Sequence, residues 1–192
     1  MSVRDIVSIG HPVLRQTARP LDPDEIGTAG VERLIDDLVD TMRAANGAGL
    51  AATQVGEAVQ VCVIEVRPGN PRYPYKPVIP LTVLVNPVVT PRTSETFANY
   101  EGCLSVPGLR GVVDRFVDVG VQALDRHGEP LDLVVQGLSA GTYQHETDHL
   151  QGRLFVDRVA DTRTLCTWEE FRLRHEAGFA ERARTLVGRF GS

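Results

Sequence analysis

The chain has 192 residues, a formal net charge of −5, and 42% hydrophobic and 23% charged residues, which suits one domain with a substantial core spanning 1–192. A mildly acidic balance gives no electrostatic reason to expect nucleic-acid binding. The longest apolar run, about Val59 to Val66, is far short of a membrane span, and Met1–Ser8 has no apolar stretch long enough for a signal peptide. Cys62, Cys103 and Cys166 are an odd count without paired spacing, so a cytoplasmic, reduced chain is expected rather than a disulfide scaffold.

In chain order, residues 8–20 carry Gly10, Pro12 and Pro20 and read as a turn-rich lead-in, with His11 structural or exposed. Val31, Leu34, Ile35, Leu38, Val39 and Met42 form one helical stripe, and Asn46-Gly47 tolerates the left-handed conformation that stops helices. Gly47-Ala48-Gly49-Leu50-Ala51-Ala52-Thr53-Gln54 is either a tight helix-to-strand connection or a place where another backbone approaches closely, with Gln54 able to donate into a cleft. Ala58–Val66 is β-branched and reads as a strand with Cys62 in the core. Prolines 68, 71, 74, 77 and 80 recur every third residue, the spacing of one edge of a polyproline II helix, and an extended surface loop is expected there. Leu81–Val89 resumes as a strand interrupted at Asn86-Pro87, an edge or bulge signal.

Glu101-Gly102-Cys103-Leu104-Ser105 presents a cysteine beside a glycine at a strand end. Buried filler, a metal ligand and a thiolate nucleophile are all open readings of Cys103. Residues 112–124 alternate as a strand, Asp125-Arg126-His127-Gly128 reads as a hairpin turn with His127 exposed, and Leu131–Val135 is the returning strand. A helix follows, with Ser139 as its expected cap and Gly152 at its end, and it contains Gln144-His145-Glu146-Thr147-Asp148-His149. Residues i and i+4 share a helix face, so His145 and His149 can aim at one divalent metal while Glu146 handles protons without ligating. A catalytic centre needs a third protein ligand. The position six residues after His149 is Phe155, not a histidine; Glu169 lies about twenty residues on; Cys103 is the other candidate. Thr167-Trp-Glu-Glu170 is a capping-box pattern that opens a last helix, about 167–187, and it explains Glu169 by the helix dipole alone.

Taken together, the segments Gly47–Gln54, Glu101–Ser105 and Gln144–His149 resemble the three signature motifs of the peptide deformylases, over a core of about residues 6–160. The resemblance implies an α+β fold, with antiparallel or mixed strands packed around the central His-Glu-x-x-His helix and a helix toward each end. It assigns Cys103, His145 and His149 as metal ligands, Glu146 as acid/base, and Gln54 with the Leu104 N–H as oxyanion donors. It places substrate along Gly47, Ala48, Gly49 and Leu50, with Gly102, Arg110, Leu138, Gly141 and Thr142 around it. It further implies removal of the formyl group from formyl-methionyl nascent peptides, one divalent ion per chain (Fe2+, with Zn2+ or Ni2+ as substitutes) and association with the ribosome. Asn46 stands where many members carry an acidic residue, which bears on an ion pair from that position to Arg110. Gly141 stands where a larger side chain is common, which bears on the pocket for the first substrate residue. Residues 67–80 form a longer stretch than in the shortest members. A peptidase using Glu169, and a purely structural metal site, are the two competing readings.

Overall fold

A computed structural model describes residues 2–191. Helix α1, Ala29–Ala44, is capped by the Thr28 hydroxyl and buries Leu34, Ile35, Leu38, Val39 and Met42, the stripe expected from the sequence. It stops where Asn46 takes a φ of 52°. Beyond the stop, β1 (Gly49–Ala51) pairs antiparallel with β2 (Val61–Val66), and the 3-10 turn Ala52–Val55 between them carries Gln54.

A five-stranded antiparallel sheet runs in the order β1-β2-β3-β6-β7, with β3 at Ile79–Pro91, β6 at Asp118–Leu124 and β7 at Pro130–Gln136. Strand β2 shows why its sequence is apolar at nearly every position. Val61 and Val63 pack toward α1, whereas Cys62 and Ile64 pack toward the helix that follows β7, α2 (Gly137–Leu150). The strand is covered on both faces, so no polar alternation survives. The expected strand start at Ala58 is later in fact. Residues 58–60 are held through Arg19, whose N–H bonds to the Ala58 carbonyl and whose carbonyl accepts from Gln60 N–H, before the ladder begins. In β3 the register shifts between Val85 and Val88, around Asn86 with a φ of 52°, as the Asn-Pro pair suggested. The Asn86 side chain uses the irregularity to clasp the Leu21 backbone through both N–H and C=O, at 2.8 and 2.9 Å.

A second antiparallel sheet holds β4 (Thr96–Cys103), β5 (Val106–Phe116) and the short β8 (Cys166–Thr167). The alternating stretch 112–124 is therefore two strands in two sheets. Val117, 2% exposed, is the corner: its N–H bonds to the Glu95 carbonyl and its carbonyl accepts from Gly137 N–H. Alternation reports a strand's faces but not its partner, so the break left no mark in the pattern. That same bond from Gly137 starts α2 directly off β7. Ser139 is consequently buried inside the first turn instead of capping it, and Gln136 is the cap residue. The helix ends at Gln151, with Gly152 following at a φ of 70°.

Residues 67–80 are not polyproline II. Asn70, Tyr73 and Lys76 each donate their N–H to the carbonyl three residues back, so the segment is a chain of tight turns. Those turns bury Tyr73 and direct the loop over α2. At the C-terminal end Thr167 caps α3 (Trp168–Glu170), a wider π-type turn covers Phe171–His175, and α4 runs from Glu176 to Phe190. Phe171 and Phe179 dock on Tyr100 and Leu138, holding this helical segment against β4 and α2.

Candidate metal centre

Helix α2 lies between the two sheets and is buried along most of its length. His145 and His149 share a face with ring centroids 5.0 Å apart, and β4 ends opposite them at Cys103. The Cys103 Sγ and one nitrogen of each histidine lie within 4.8 Å of one another, and Sγ is 3.3 Å from His149 Nε2. Among the described residues this is the single cluster of three such donors. Glu169 is exposed in the first turn of α3 and takes no part in it.

The donor set is oriented from behind. Glu101 Oε2 lies 2.8 Å from His145 Nδ1, which leaves the other ring nitrogen for the cluster. Arg115 grips both Glu101 oxygens at 2.7 and 2.9 Å and reaches Asp148 at 2.7 Å, and Arg158 pairs with Asp148 in turn. Burial opposes the charge on Glu101, yet Arg115 and His145 hold its carboxyl well below the usual carboxylate range. Removing one member of such a buried array costs about 3–5 kcal/mol, because its partner is left charged and unpaired. Burial, with His145 adding to it, lowers His149 well below the ordinary histidine range, which favours the neutral imidazole that ligates metals.

Next to the cluster a cleft is lined from several elements. Glu146 is 4% exposed, and burial pushes its carboxyl up to about 7 against the opposite pull of His145 and Lys76. Gln54 is fixed by its carbonyl oxygen, which accepts from Ala51 N–H at 2.9 Å. Its amide nitrogen therefore faces Ser105 Oγ at 3.1 Å and Cys103 Sγ at 3.5 Å. Leu104, in the turn joining β4 to β5, also lines the cleft, as do Gly47, Ala48, Gly49, Gly102, Gly141 and Thr142. Gly49 is where the backbone comes closest: a Cβ there would lie 2.4 Å from Glu146 Oε1 and 2.5 Å from its Cγ.

Leu50, Arg110 and Leu138 are not brought to the cleft wall. Leu50 packs in the core beneath α1, and Leu138 packs against Phe171 and Phe179. Arg110 is 1% exposed, donates to the Tyr75 hydroxyl and the Tyr100 carbonyl, and stacks on Trp168 and Phe171 at 4.3 and 4.0 Å. The aromatic side chains of the C-terminal segment claim its guanidinium, which positional likeness to a motif does not reveal. Conversely, sequence reasoning gave no role to Glu101, Asn99, Lys76 or Tyr73. Glu101 and Asn99 precede Cys103 by two and four residues on β4, and strand alternation puts all three on one face, a usable signal. Lys76 and Tyr73 come from the turn-rich loop, where nothing in the spacing marks them. Burial lowers the Lys76 ammonium to about 8 while Glu101 and Glu146 favour its charge.

Comparison with known proteins agrees with this geometry. Residues 3–164 match the family described as Polypeptide deformylase. Peptide deformylase 1 of Nitrosomonas europaea is 44% identical over 161 residues, which is 84% of this chain and 90% of that protein. Peptide deformylase 2 of Pseudomonas putida is 44% identical over 159 residues, or 83% and 89%. Among solved structures, the Met-Ala-Ser-bound class I type b peptide deformylase from Acinetobacter baumannii superposes with a TM-score of 0.79 at 39% identity, covering 82% of this chain and 99% of that one. A peptide deformylase from Legionella pneumophila covers 99% of this chain and 96% of its own, with a TM-score of 0.72 at 32% identity. The chain belongs to the polypeptide deformylase family, metal-dependent hydrolases that remove the N-formyl group from nascent polypeptides.

Proposed function

We propose that the chain releases formate from formyl-methionyl nascent peptides in the cytoplasm, as one catalytic domain, with the ion held by Cys103, His145 and His149. The observation that carries this reading is the convergence of those three donors, within 4.8 Å of one another, beside a cleft that also contains Glu146 and Gln54. The set is the right size and chemistry for one divalent ion: one thiolate, two imidazoles, and a carboxylate fixing one imidazole from behind. Sulfur and nitrogen donors suit Fe2+, which we take as the native ion, and Zn2+ or Ni2+ as substitutes. Bound there, the ion supplies Lewis acidity toward a water and a carbonyl oxygen.

Everything else falls to side chains and backbone. Glu146, with its carboxyl near neutrality, takes a proton from the attacking water and returns it to the departing amine. Gln54 Nε2, immobilised through its own carbonyl, donates to the oxygen that gains negative charge as the formyl carbon becomes tetrahedral, and the Leu104 N–H joins it. Strand β1 is an edge strand, so the peptide main chain adds to it along Gly47–Leu50, a mode largely blind to sequence. The A. baumannii relative has been crystallised with Met-Ala-Ser, the kind of product such a groove would hold. Ribosome association is part of the same proposal, as the source of the nascent substrate. No helix among the described residues is long and apolar enough to cross a membrane.

The test is formate release from formyl-Met-Ala-Ser and acetate release from acetyl-Met-Ala-Ser, with metal content measured on the same protein. A formyl carbon carries only hydrogen, whereas an acetyl methyl must fit beside Gly47 and Gly49, where a Cβ already has no free space. Formate without acetate is the expected result. Comparable kcat/KM on both peptides refutes the steric argument, and formate from neither refutes the proposed function.

A further inference from the structure

The C-terminal segment reaches the mouth of the cleft from outside the stretch shared with the family. That stretch is residues 3–164, so Trp168 and Arg172 lie beyond it. Trp168 nevertheless packs at the cleft wall: a Cβ at Gly102, which lines the cleft, would stand 3.5 Å from Trp168 Cζ2. A second hollow opens there, walled by Arg72, Leu104, Pro107, Trp168 and Arg172, and it shares Cys103 and Leu104 with the catalytic cleft. Arg72 comes from the turn-rich loop and is placed by Asn70. The Asn70 amide donates to the carbonyls of Asn46 and Gly47 at 3.3 and 3.2 Å, and its Oδ1 accepts from Arg72 N–H at 2.9 Å. The loop is thereby tied to the outer end of the groove along β1.

Three guanidinium groups surround the Trp168 ring: Arg110 at 4.3 Å, Arg72 at 4.9 Å and Arg172 at 5.5 Å. Among the described residues none of the three forms an ion pair within 4.0 Å, and Arg72 Nε is buried without a hydrogen-bond partner. No described Asp or Glu lines the hollow, and Glu170, two positions after Trp168, is paired with Arg174. An indole face attracts each cation but neutralises none of them. Like charges gathered this closely repel, so the hollow favours an anion although the chain as a whole carries −5.

The path of the substrate says which anion arrives. Gly49 lies against Glu146, whereas Gly47 lies against Leu104, whose Cδ1 would be 3.1 Å from a Cβ at Gly47. Gly47 is two residues farther out, about 7 Å along an extended chain. A peptide that sets its formyl group by Glu146 and adds to β1 therefore carries its second and third residues past Leu104, at the lip of the hollow. Its amino end is blocked and its own terminal carboxylate is far away, so an Asp or Glu side chain is the anion it can offer there. Main-chain addition is blind to sequence, but this wall is not blind to charge.

We propose that Arg72 and Arg172, ordered on Trp168, form a specificity site that favours an acidic side chain at the second or third residue of the formylated peptide and disfavours a basic one. The proposal rests on the deformylase reading of the site. Its test is kcat and KM for formyl-Met-X-Ser and formyl-Met-Ala-X, both as C-terminal amides, with X as glutamate, glutamine or lysine. The metal-loaded wild type is compared with the double variant Arg72→Gln/Arg172→Gln and with Arg172→Glu. At one of the two positions glutamate should exceed lysine by about tenfold in kcat/KM, chiefly through KM, with glutamine between. That is a few-fold attraction and an equal repulsion, the size that exposed charge pairs give. In about 1 M salt, where charges are screened beyond about 3 Å, the preference should collapse. The double variant should bring the three peptides within about twofold, and Arg172→Glu should reverse their order, a sign change that damage to the fold does not produce. Affinities of the deformylated products, by calorimetry, should follow the same orders independently of turnover. Equal kcat/KM for all three residues at both positions, or a preference that high salt and both variants leave intact, overturns the proposal and leaves the deformylase reading standing. So does inhibition by an RNA oligonucleotide, lost in the double variant, without discrimination among the peptides, which assigns these arginines to nucleic acid. Formate from none of the peptides, with metal bound, overturns the deformylase reading and this proposal with it.

Discussion

Gly49→Ala places a methyl group where Glu146 now sits. The new Cβ would lie 2.4–2.5 Å from Oε1, Cδ and Cγ of Glu146, about 1 Å short of ordinary contact at 3.4 Å. Gly49 itself is held in the ladder opposite Ile64, and the neighbouring β1 residues are fully buried, so the strand has little room to retreat. The carboxylate must therefore swing by about 1 Å, a misplacement that typically lowers a rate by about 10²-fold. The three atoms nearest the new Cβ all belong to Glu146, none to Cys103, His145 or His149. The expected variant binds its ion normally, melts within a few degrees of the wild type, and loses about 10²-fold in kcat for a formyl-Met peptide. Glu146→Ala sets the floor, since general acid–base catalysis supplies about 10²–10⁴-fold. Stopped formate assays with metal analysis on both variants are sufficient. A Gly49→Ala enzyme retaining more than about a third of wild-type kcat, with metal bound, would show that Glu146 is not poised where this account needs it.

Gln54→Ala should lower kcat by about 10²–10³ and leave KM nearly unchanged, the pattern for a lost oxyanion donor. A raised KM at normal kcat makes Gln54 a ground-state binding group instead. Asp37 anchors the N-terminal segment to α1, accepting from Ser2 N–H at 2.8 Å and from Arg4. Those bonds, the Ser2 N–H first, hold its carboxyl below the usual range although burial opposes them. Because the folded pKa is depressed, this stabilisation is complete above the unfolded value of about 3.9 and is lost as pH falls through the folded one. The melting temperature of Asp37→Asn should therefore lie below wild type at pH 6 and converge on it as pH falls through the depressed folded value, and a gap that widens on acidification contradicts the sign.

How much of this was legible before the structure varies with the range of the interaction. His145 and His149 were readable because their relation is local, one helical turn. The α1 stripe and the Asn86 bulge were readable for the same reason. Cys103 needed a chain fold that no spacing encodes, and its residues alone leave buried filler, metal ligand and nucleophile all open, so that the likeness of three motifs is what singles it out as a ligand. Lys76 and Tyr73 were invisible: regular proline spacing suggested an extended loop, while three successive backbone turns coil it over the cleft. Arg110 was misplaced because aromatic stacking partners 58 and 61 residues downstream, Trp168 and Phe171, decide where its guanidinium goes. Val117 marks a change of sheet that side-chain alternation cannot report, since both strands alternate equally well on either side of it.

The central claim is that Cys103, His145 and His149 together form the working centre, and the metal-to-chain ratio of two variants tests it most directly. Cys103→Ala leaves two imidazoles, too few for a stable catalytic site, and should be isolated largely metal-free and without formate release. Glu169→Ala should keep one ion per chain and wild-type turnover, because its exposed carboxylate supports only a helix start worth about 0.3–1 kcal/mol. Metal retained by Cys103→Ala and lost from Glu169→Ala would contradict the account.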